Sequence, residues 1–227
     1  MKVLLIICVF SSLLFAQDYK AVNVKGDVKY QSGTSEEWFD LKEGTKINNN
    51  AFVTTGEKSS VKLNGKDKSV VLNELSALPV SSIKNMSTDE LLLALAMEDM
   101  INAPKSNGNG SSNNTATYGN KEDNKVIKPA TDDFGIMRMN GAVQLAKSGL
   151  KESAVIFAKE TYRKYPDTKQ LANYRIFFAD ILYEKGLYEE ALGEYFDIEK
   201  LELTKEEKTE VESQVNKINK ILLNNYK

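Results

Sequence analysis

The side chains with chemical potential in this chain are mostly carboxylates, several of them adjacent, such as Asp89-Glu90 and Asp132-Asp133. Paired carboxylates are what general acid–base catalysis employs when one of them is held protonated. Here one pair opens a helix and the other sits at the edge of a linker, where dipole compensation and simple solvation account for them. The 227 residues contain no histidine, which removes the Ser-His-Asp and Cys-His nucleophile arrangements and the common histidine-based zinc and iron sites. No catalytic residue, metal site or cofactor is expected, and the chain is read as a non-enzyme. With a formal net charge of −2 it has no basic excess to neutralise phosphates, so nucleic acid is not an expected partner.

The single cysteine, Cys8, lies inside an N-terminal apolar run that follows Met1-Lys2 and ends at Ala16. A positive start, a short apolar run and a small residue make the pattern of a secretory signal peptide over residues 1–17, with cleavage near Ala16-Gln17. Leu14 is larger than the residue usual before such a cleavage site, so an uncleaved anchor is the alternative. Once the leader is removed the chain holds no cysteine and hence no disulfide. An exported protein of that kind suits a bacterial envelope, either periplasmic or secreted to the cell surface.

Residues 18–103 must supply the first body. Between Val22 and Val80 short alternating segments rich in Val, Thr and aromatic residues are punctuated by turns at Lys25-Gly26-Asp27, Lys42-Glu43-Gly44, Asn48-Asn49-Asn50, Gly56-Glu57-Lys58 and Asn64-Gly65. The spacing predicts a small all-β domain, with a hairpin or bulged strand around Gly26 and Pro79 on an edge strand. Trp38, Phe39 and Phe52 are expected in its core, a carbohydrate- or peptide-stacking surface being the alternative. Ser87-Thr88-Asp89-Glu90 is a capping box that starts a helix from about Thr88 to Asn102. Leu92, Leu93, Ala96, Met97 and Met100 form a broad stripe, and Leu91 and Leu95 make the first two turns apolar almost all round. The helix therefore needs cover on more than one side and is expected to dock on the β domain. A membrane-surface helix is the alternative, disfavoured by Asp89, Glu90, Glu98 and Asp99.

The ordered series Gly26-Asp27-Val28, Trp38, Leu41, Glu43-Gly44, Thr54-Thr55, Ser60 to Leu63, Val70-Val71-Leu72 and Ser76-Ala77-Leu78 resembles the FecR-type periplasmic domain. The resemblance covers about a quarter of the chain and departs from the family at Asn64 to Ser69, where a longer turn replaces Asp-Gly-Ser. It implies an extracytoplasmic, non-catalytic β domain, in some members a sensor relaying receptor binding to an anti-sigma segment. The relay is not expected to carry over, since its membrane helix and cytoplasmic segment have no counterpart in this reading.

Pro104 ends the helix, and residues 104–130 are rich in Asn, Gly, Ser and Lys, the composition of a flexible linker that lets two domains move independently. Residues 131–227 then read as helical. Gly149-Leu150-Lys151-Glu152-Ser153-Ala154 and Gly186-Leu187-Tyr188-Glu189-Glu190-Ala191 are copies of one motif, in which Gly permits a tight turn and Ala a close helix approach. This resembles the tetratricopeptide repeat, including Pro166 twelve residues after Ala154, although the second copy has Leu203 in place of that proline. A second capping box, Thr204-Lys205-Glu206-Glu207, opens a last helix whose Val211, Val215, Ile218 and Leu222 stripe makes it a cap for the array.

The fold class expected is thus a small FecR-like all-β domain with one docked helix, a flexible linker, and an all-α domain of tetratricopeptide-like antiparallel helix pairs with a C-terminal capping helix. In such an array the first helix of each pair lines the groove. That makes Asn173, Ile176, Asp180, Tyr183 and Glu184 the candidate partner-binding residues. The function expected is that of an exported binding or scaffold protein docking a protein or peptide partner. The alternatives are a structural cell-surface protein whose β domain holds wall polymer, or an envelope signalling component.

Overall fold

The computed structural model describes residues 18–33, 35–102 and 134–225. The expected leader, the linker over 104–130 and the Asp132-Asp133 pair lie outside them. The β-rich stretch forms eight strands: β1 Tyr19–Lys25, β2 Val28–Gln31, β3 Phe39–Asp40, β4 Lys46–Ile47, β5 Phe52–Thr55, β6 Ser60–Asn64, β7 Ser69–Leu72 and β8 Ser76–Pro79. The helices are α1 Thr88–Asn102, α2 Phe134–Lys147, α3 Lys151–Lys164, α4 Ala172–Glu184, α5 Tyr188–Ile198 and α6 Lys205–Asn225. The described residues are therefore mixed β and α, with two small antiparallel sheets and six α-helices.

The sheets are ordered β4-β1-β6-β7 and β3-β2-β5-β8. Alternation turns Tyr19, Ala21, Val61, Leu63, Val70 and Leu72 of the first sheet, and Val28, Val53 and Leu78 of the second, into the interior. The turn at Gly26 does not make a hairpin. β1 pairs with β4 and β6 while β2 pairs with β3 and β5, so the chain changes sheets at Gly26-Asp27. β6 and β7 do form a hairpin across Asn64↔Ser69, closed by the Gly65 amide donating to the Lys68 carbonyl at 2.7 Å.

The two copies of the glycine motif fold alike. Gly149 (φ +87°) and Gly186 (φ +76°) adopt the left-handed conformation that ends a helix without a Cβ penalty. Their amides donate to Ala146 and Tyr183, and the following Leu150 and Leu187 amides reach back to Leu145 and Leu182. All four leucines are buried, so each turn is locked by a hydrophobic contact as well as by hydrogen bonds. Ala154 and Ala191, at the helix crossings, are wholly buried.

The β and helical parts pack against each other. β8 and β7 are each the last strand of a sheet, and α2 packs on both. An uncovered strand edge invites pairing with another chain; α2 lies over this one and holds the connection between β7 and β8 with side-chain amides. Asn140 Nδ2 donates to the Leu75 carbonyl at 2.7 Å, Gln144 Nε2 donates to Ser76 Oγ at 2.8 Å, and Gln144 Oε1 accepts the Asn73 amide at 2.5 Å. Between them Gly141 lies so near β8 that a Cβ there would stand 2.2 Å from the Ala77 carbonyl oxygen.

Beside this contact, Phe52 stacks on Phe134 with centroids 5.7 Å apart, and Arg138 places its guanidinium 4.6 Å from the Phe157 ring centroid and 5.6 Å from that of Phe52. Trp38 packs edge-on against Phe52. These aromatics are therefore not β-core residues as expected: Phe52 and Trp38 are only half-buried and Phe39 is exposed. The Phe52 side of the sheet faces the helices, its partner Phe134 being more than eighty residues away in sequence, whereas Phe39 pairs with Tyr30 at the opposite edge of the sheet. Burial lowers the Arg138 pKa from its ordinary value, and Glu160 opposes this from 3.4 Å.

α1 also departs from expectation. It docks on α3 rather than on the β sheets. Because α2 binds the sheets through backbone contact, Gly141→Val should force them apart, costing about 1–3 kcal/mol and lowering Tm by roughly 2–4 °C per kcal/mol. Gly193→Ala on α5, where a Cβ meets nothing within 4 Å, should instead stabilise by about 0.5–1 kcal/mol. Calorimetry checks both, and the parent chain should melt in one transition.

Candidate functional site

α1 starts at its capping box, where the Ser87 amide donates to Glu90 Oε2 at 2.7 Å and the Glu90 amide to Ser87 Oγ at 3.2 Å. Those bonds from the Ser87 amide, and secondly from its hydroxyl, hold the Glu90 carboxyl below the usual carboxylate range. The helix is apolar almost all round, so periodicity alone does not choose which side is buried. The structure buries Leu91 and Leu95 and brings Glu98 to Arg163 Nε at 3.0 Å on α3. These three positions, spaced four and three apart, set the phase of the helix.

That phase turns the expected buried stripe outward. Leu93 is 64% exposed, Met97 56%, Met100 78% and Ile101 59%, with Leu92 at their edge. Scattered exposed apolar residues are ordinary, whereas a run on one helix face is the mark of an interaction surface. α1 contains no lysine or arginine, and Asp89, Glu90 and Asp99 make its charge wholly acidic beside the apolar face.

Next to α1 lies a cleft of about 250 Å³, walled by α3, α4 and α5. Its floor is an alternating charge lattice. Glu194 pairs with Lys159 and sits 3.0 Å from Arg175 Nη2, and Arg175 also faces Asp197 at 3.7 Å. Burial by itself would raise the Glu194 pKa, but Lys159 and Arg175 outweigh it and hold the carboxyl below its ordinary 4.5. The Tyr162 hydroxyl and Arg175 Nε are buried beside the cleft with no hydrogen-bond partner among the described residues. Burial, and secondly Glu194, keep the Tyr162 hydroxyl protonated far above its usual range. The cleft thus presents fixed charges, and Asp197, hydrogen-bonded by Lys200, is like Glu194 held below its ordinary pKa.

No family model, no curated protein and no solved structure matches this chain.

The five residues expected to line a groove do not form one surface. α4 is the central helix of the array, in contact with α3, α5 and α6. Ile176 is therefore 5% exposed and lies in the core. Asp180 accepts from the Tyr195 hydroxyl at 2.5 Å and from Gln214 Nε2 at 2.9 Å, bracing α4 to α5 and α6. Tyr183 packs on Tyr188 with ring centroids 5.6 Å apart. Glu184 is exposed but paired with Lys151, which leaves Asn173 as the one exposed member not used in such a pair. Sequence does not single out the α1 surface, because Leu91 and Leu95 make its first turns apolar almost all round and cover is expected on more than one side. Its signal was the surplus of apolar residues over what one stripe can bury, together with the missing basic residues.

Among the described residues no helix is long and apolar enough to cross a membrane. The lowered pKa values of Glu194 and Glu90 bear on stability. The folded state binds fewer protons than the unfolded chain around pH 4, so this stabilisation is complete above the ordinary 4.5 and is lost as pH falls through the folded values. Stability should be flat between neutrality and about pH 6 and should drop in acid. Glu194→Gln, which leaves Lys159 and Arg175 without their shared carboxylate, should cost up to about 3 kcal/mol at pH 7 and flatten the acid slope in urea unfolding curves.

Proposed function

We propose that this chain is an exported, non-catalytic binding or scaffold protein of the bacterial envelope, whose tetratricopeptide-like helical part docks a protein or peptide partner. The two matching helix turns at Gly149 and Gly186 and the two-sheet β part support that architecture. The observation that carries the reading is an apolar face left uncovered among the described residues, formed by Leu93, Met97, Met100 and Ile101 of α1. That helix precedes the repeat-like segment in sequence and packs on its α3.

Charge selects the partner. A segment with an apolar stripe flanked by lysine or arginine complements Asp89, Glu90 and Asp99, whereas a second copy of α1 would set carboxylates against carboxylates. An anionic membrane surface would be repelled in the same way. Leu93, Met97 and Met100, at i, i+4 and i+7, form one row along α1 against which the apolar stripe of a second helix can pack.

Titration calorimetry on the full chain, with a synthetic Leu/Lys amphipathic helix as probe and its Leu/Glu counterpart as control, tests the reading. The basic probe should bind and the acidic one should not. The double variant Leu93→Asp/Met97→Asp, both exposed and so without effect on folding, should weaken binding at least tenfold, worth about 1.4 kcal/mol. Equal binding of both probes, indifference to the double variant, or a dimer that dissociates on making it would overturn the assignment.

A further inference from the structure

The sheet β4-β1-β6-β7 has an outer face of one charge. Its inward residues, Tyr19, Ala21, Ile47, Val61, Leu63, Val70 and Leu72, are all buried, so the alternate positions stand on the opposite side. The register sets Lys20 directly across from Lys46 on one side and Asn64 on the other, Lys62 between Val22 and Val71, and Lys25 across from Ser60. The β-bulge between Val22 and Lys25, where Asn23 has φ +54°, bends β1 and opens a depression of about 380 Å³ lined by Asn23, Lys25, Ser60, Lys62 and Val71. Lys20, Lys25 and Lys46 are exposed and Lys62 half-buried.

None of the four strands contains an aspartate or glutamate, and among the described residues none of the four lysines makes an ion pair. The nearest acidic group assigned to a contact here is Glu43 at the rim, whose carboxylate accepts the Val24 amide at 3.0 Å. Like charges directly opposite on adjacent strands destabilise a sheet. Lys20 and Lys46 carry that cost within a chain whose net charge is −2.

We infer that this face is a binding surface for a flexible polymer bearing repeated anionic groups on a polyhydroxyl backbone. Lys46, Lys20 and Lys62 stand on the neighbouring strands β4, β1 and β6, with Lys25 further along β1, so successive anions of an extended chain can each meet a cation. Asn23, Ser60 and Asn64 interleave hydrogen-bonding groups suited to hydroxyls. No aromatic side chain lies among the outward residues of these strands, so the stacking platform by which single-stranded nucleic acids are held is missing. That composition favours a phosphate- or carboxylate-bearing polyol or glycan over a polynucleotide. The inference is independent of the α1 surface, which carries the opposite charge.

The test is binding of the full chain to three immobilised polymers across a salt series: a polyol phosphate, a polyuronate and an oligothymidylate. Binding to the polyol phosphate or the polyuronate is expected, which of the two identifying the anion. Lys20→Gln/Lys62→Gln should lower that affinity at least tenfold and reduce the salt slope by about 1.5, since each lost contact removes about 0.7–0.9. The variant should melt no lower than the parent, because a lysine pair is relieved. Its binding of the basic peptide probe should be unchanged, which separates failure here from failure of the α1 reading. Absence of binding to either polyol-type polymer, tighter binding to the oligothymidylate, or affinity untouched by the double variant overturns the inference.

Discussion

The contact on which the rest of the molecule is built is the approach of α2 to β8. Two four-stranded sheets leave open edges, and β7 and β8 present theirs on the same side. A helix can cover such an edge only if its backbone comes close enough for side chains to reach unpaired amides and carbonyls. Gly141 permits that approach to Ala77, and Asn140 and Gln144 hold the connection between β7 and β8. Once α2 is fixed, the locked turn at Gly149 fixes α3, and α3 in turn receives α1 through Leu91, Leu95 and the Glu98–Arg163 pair. The hydrophobic core consequently runs without a break from Tyr19 in β1 to Ile218 in α6.

Arg138 shows how a charge is accommodated at this junction. It is 4% exposed, yet rings of Phe52, Phe157 and Tyr165 flank its guanidinium, Glu160 faces it, and Thr161 Oγ1 accepts from its Nε at 3.3 Å. Planar, delocalised and weakly hydrated, guanidinium tolerates such surroundings better than an ammonium would. The same side chain touches β5, α3 and the turn after α3, and so ties the orientation of the sheets to that of the helices.

Packing of the two parts against each other has a functional consequence. An acidic, apolar surface on α1 and a basic, polar surface on the β4-β1-β6-β7 sheet belong to parts in contact, so the ligands proposed for them would be held at a set separation. An adaptor with loosely tethered modules gains reach and loses that geometry. The opposite signs of the two surfaces also keep the ligand proposed for one from competing at the other.

Much of the local structure was legible in the sequence. Both capping boxes, the glycine-terminated helix turns, the Asn64-Gly65 hairpin and the edge position of Pro79 depend on groups within a few residues of one another, and the chain carries their signatures directly. What tertiary structure alone decided were choices between locally equivalent options. Gly26 serves a hairpin and a change of sheet equally well. α1 offers apolar residues on every side, and only Arg163 and the surface of α3 select Leu91 and Leu95 for burial. α4 has two plausible faces until α3, α5 and α6 cover both, and Phe52 suits a β core as well as an interface until Phe134 arrives. Each of these outcomes rests on contacts between residues roughly fifteen to eighty or more positions apart, whose free energy no short window of sequence contains.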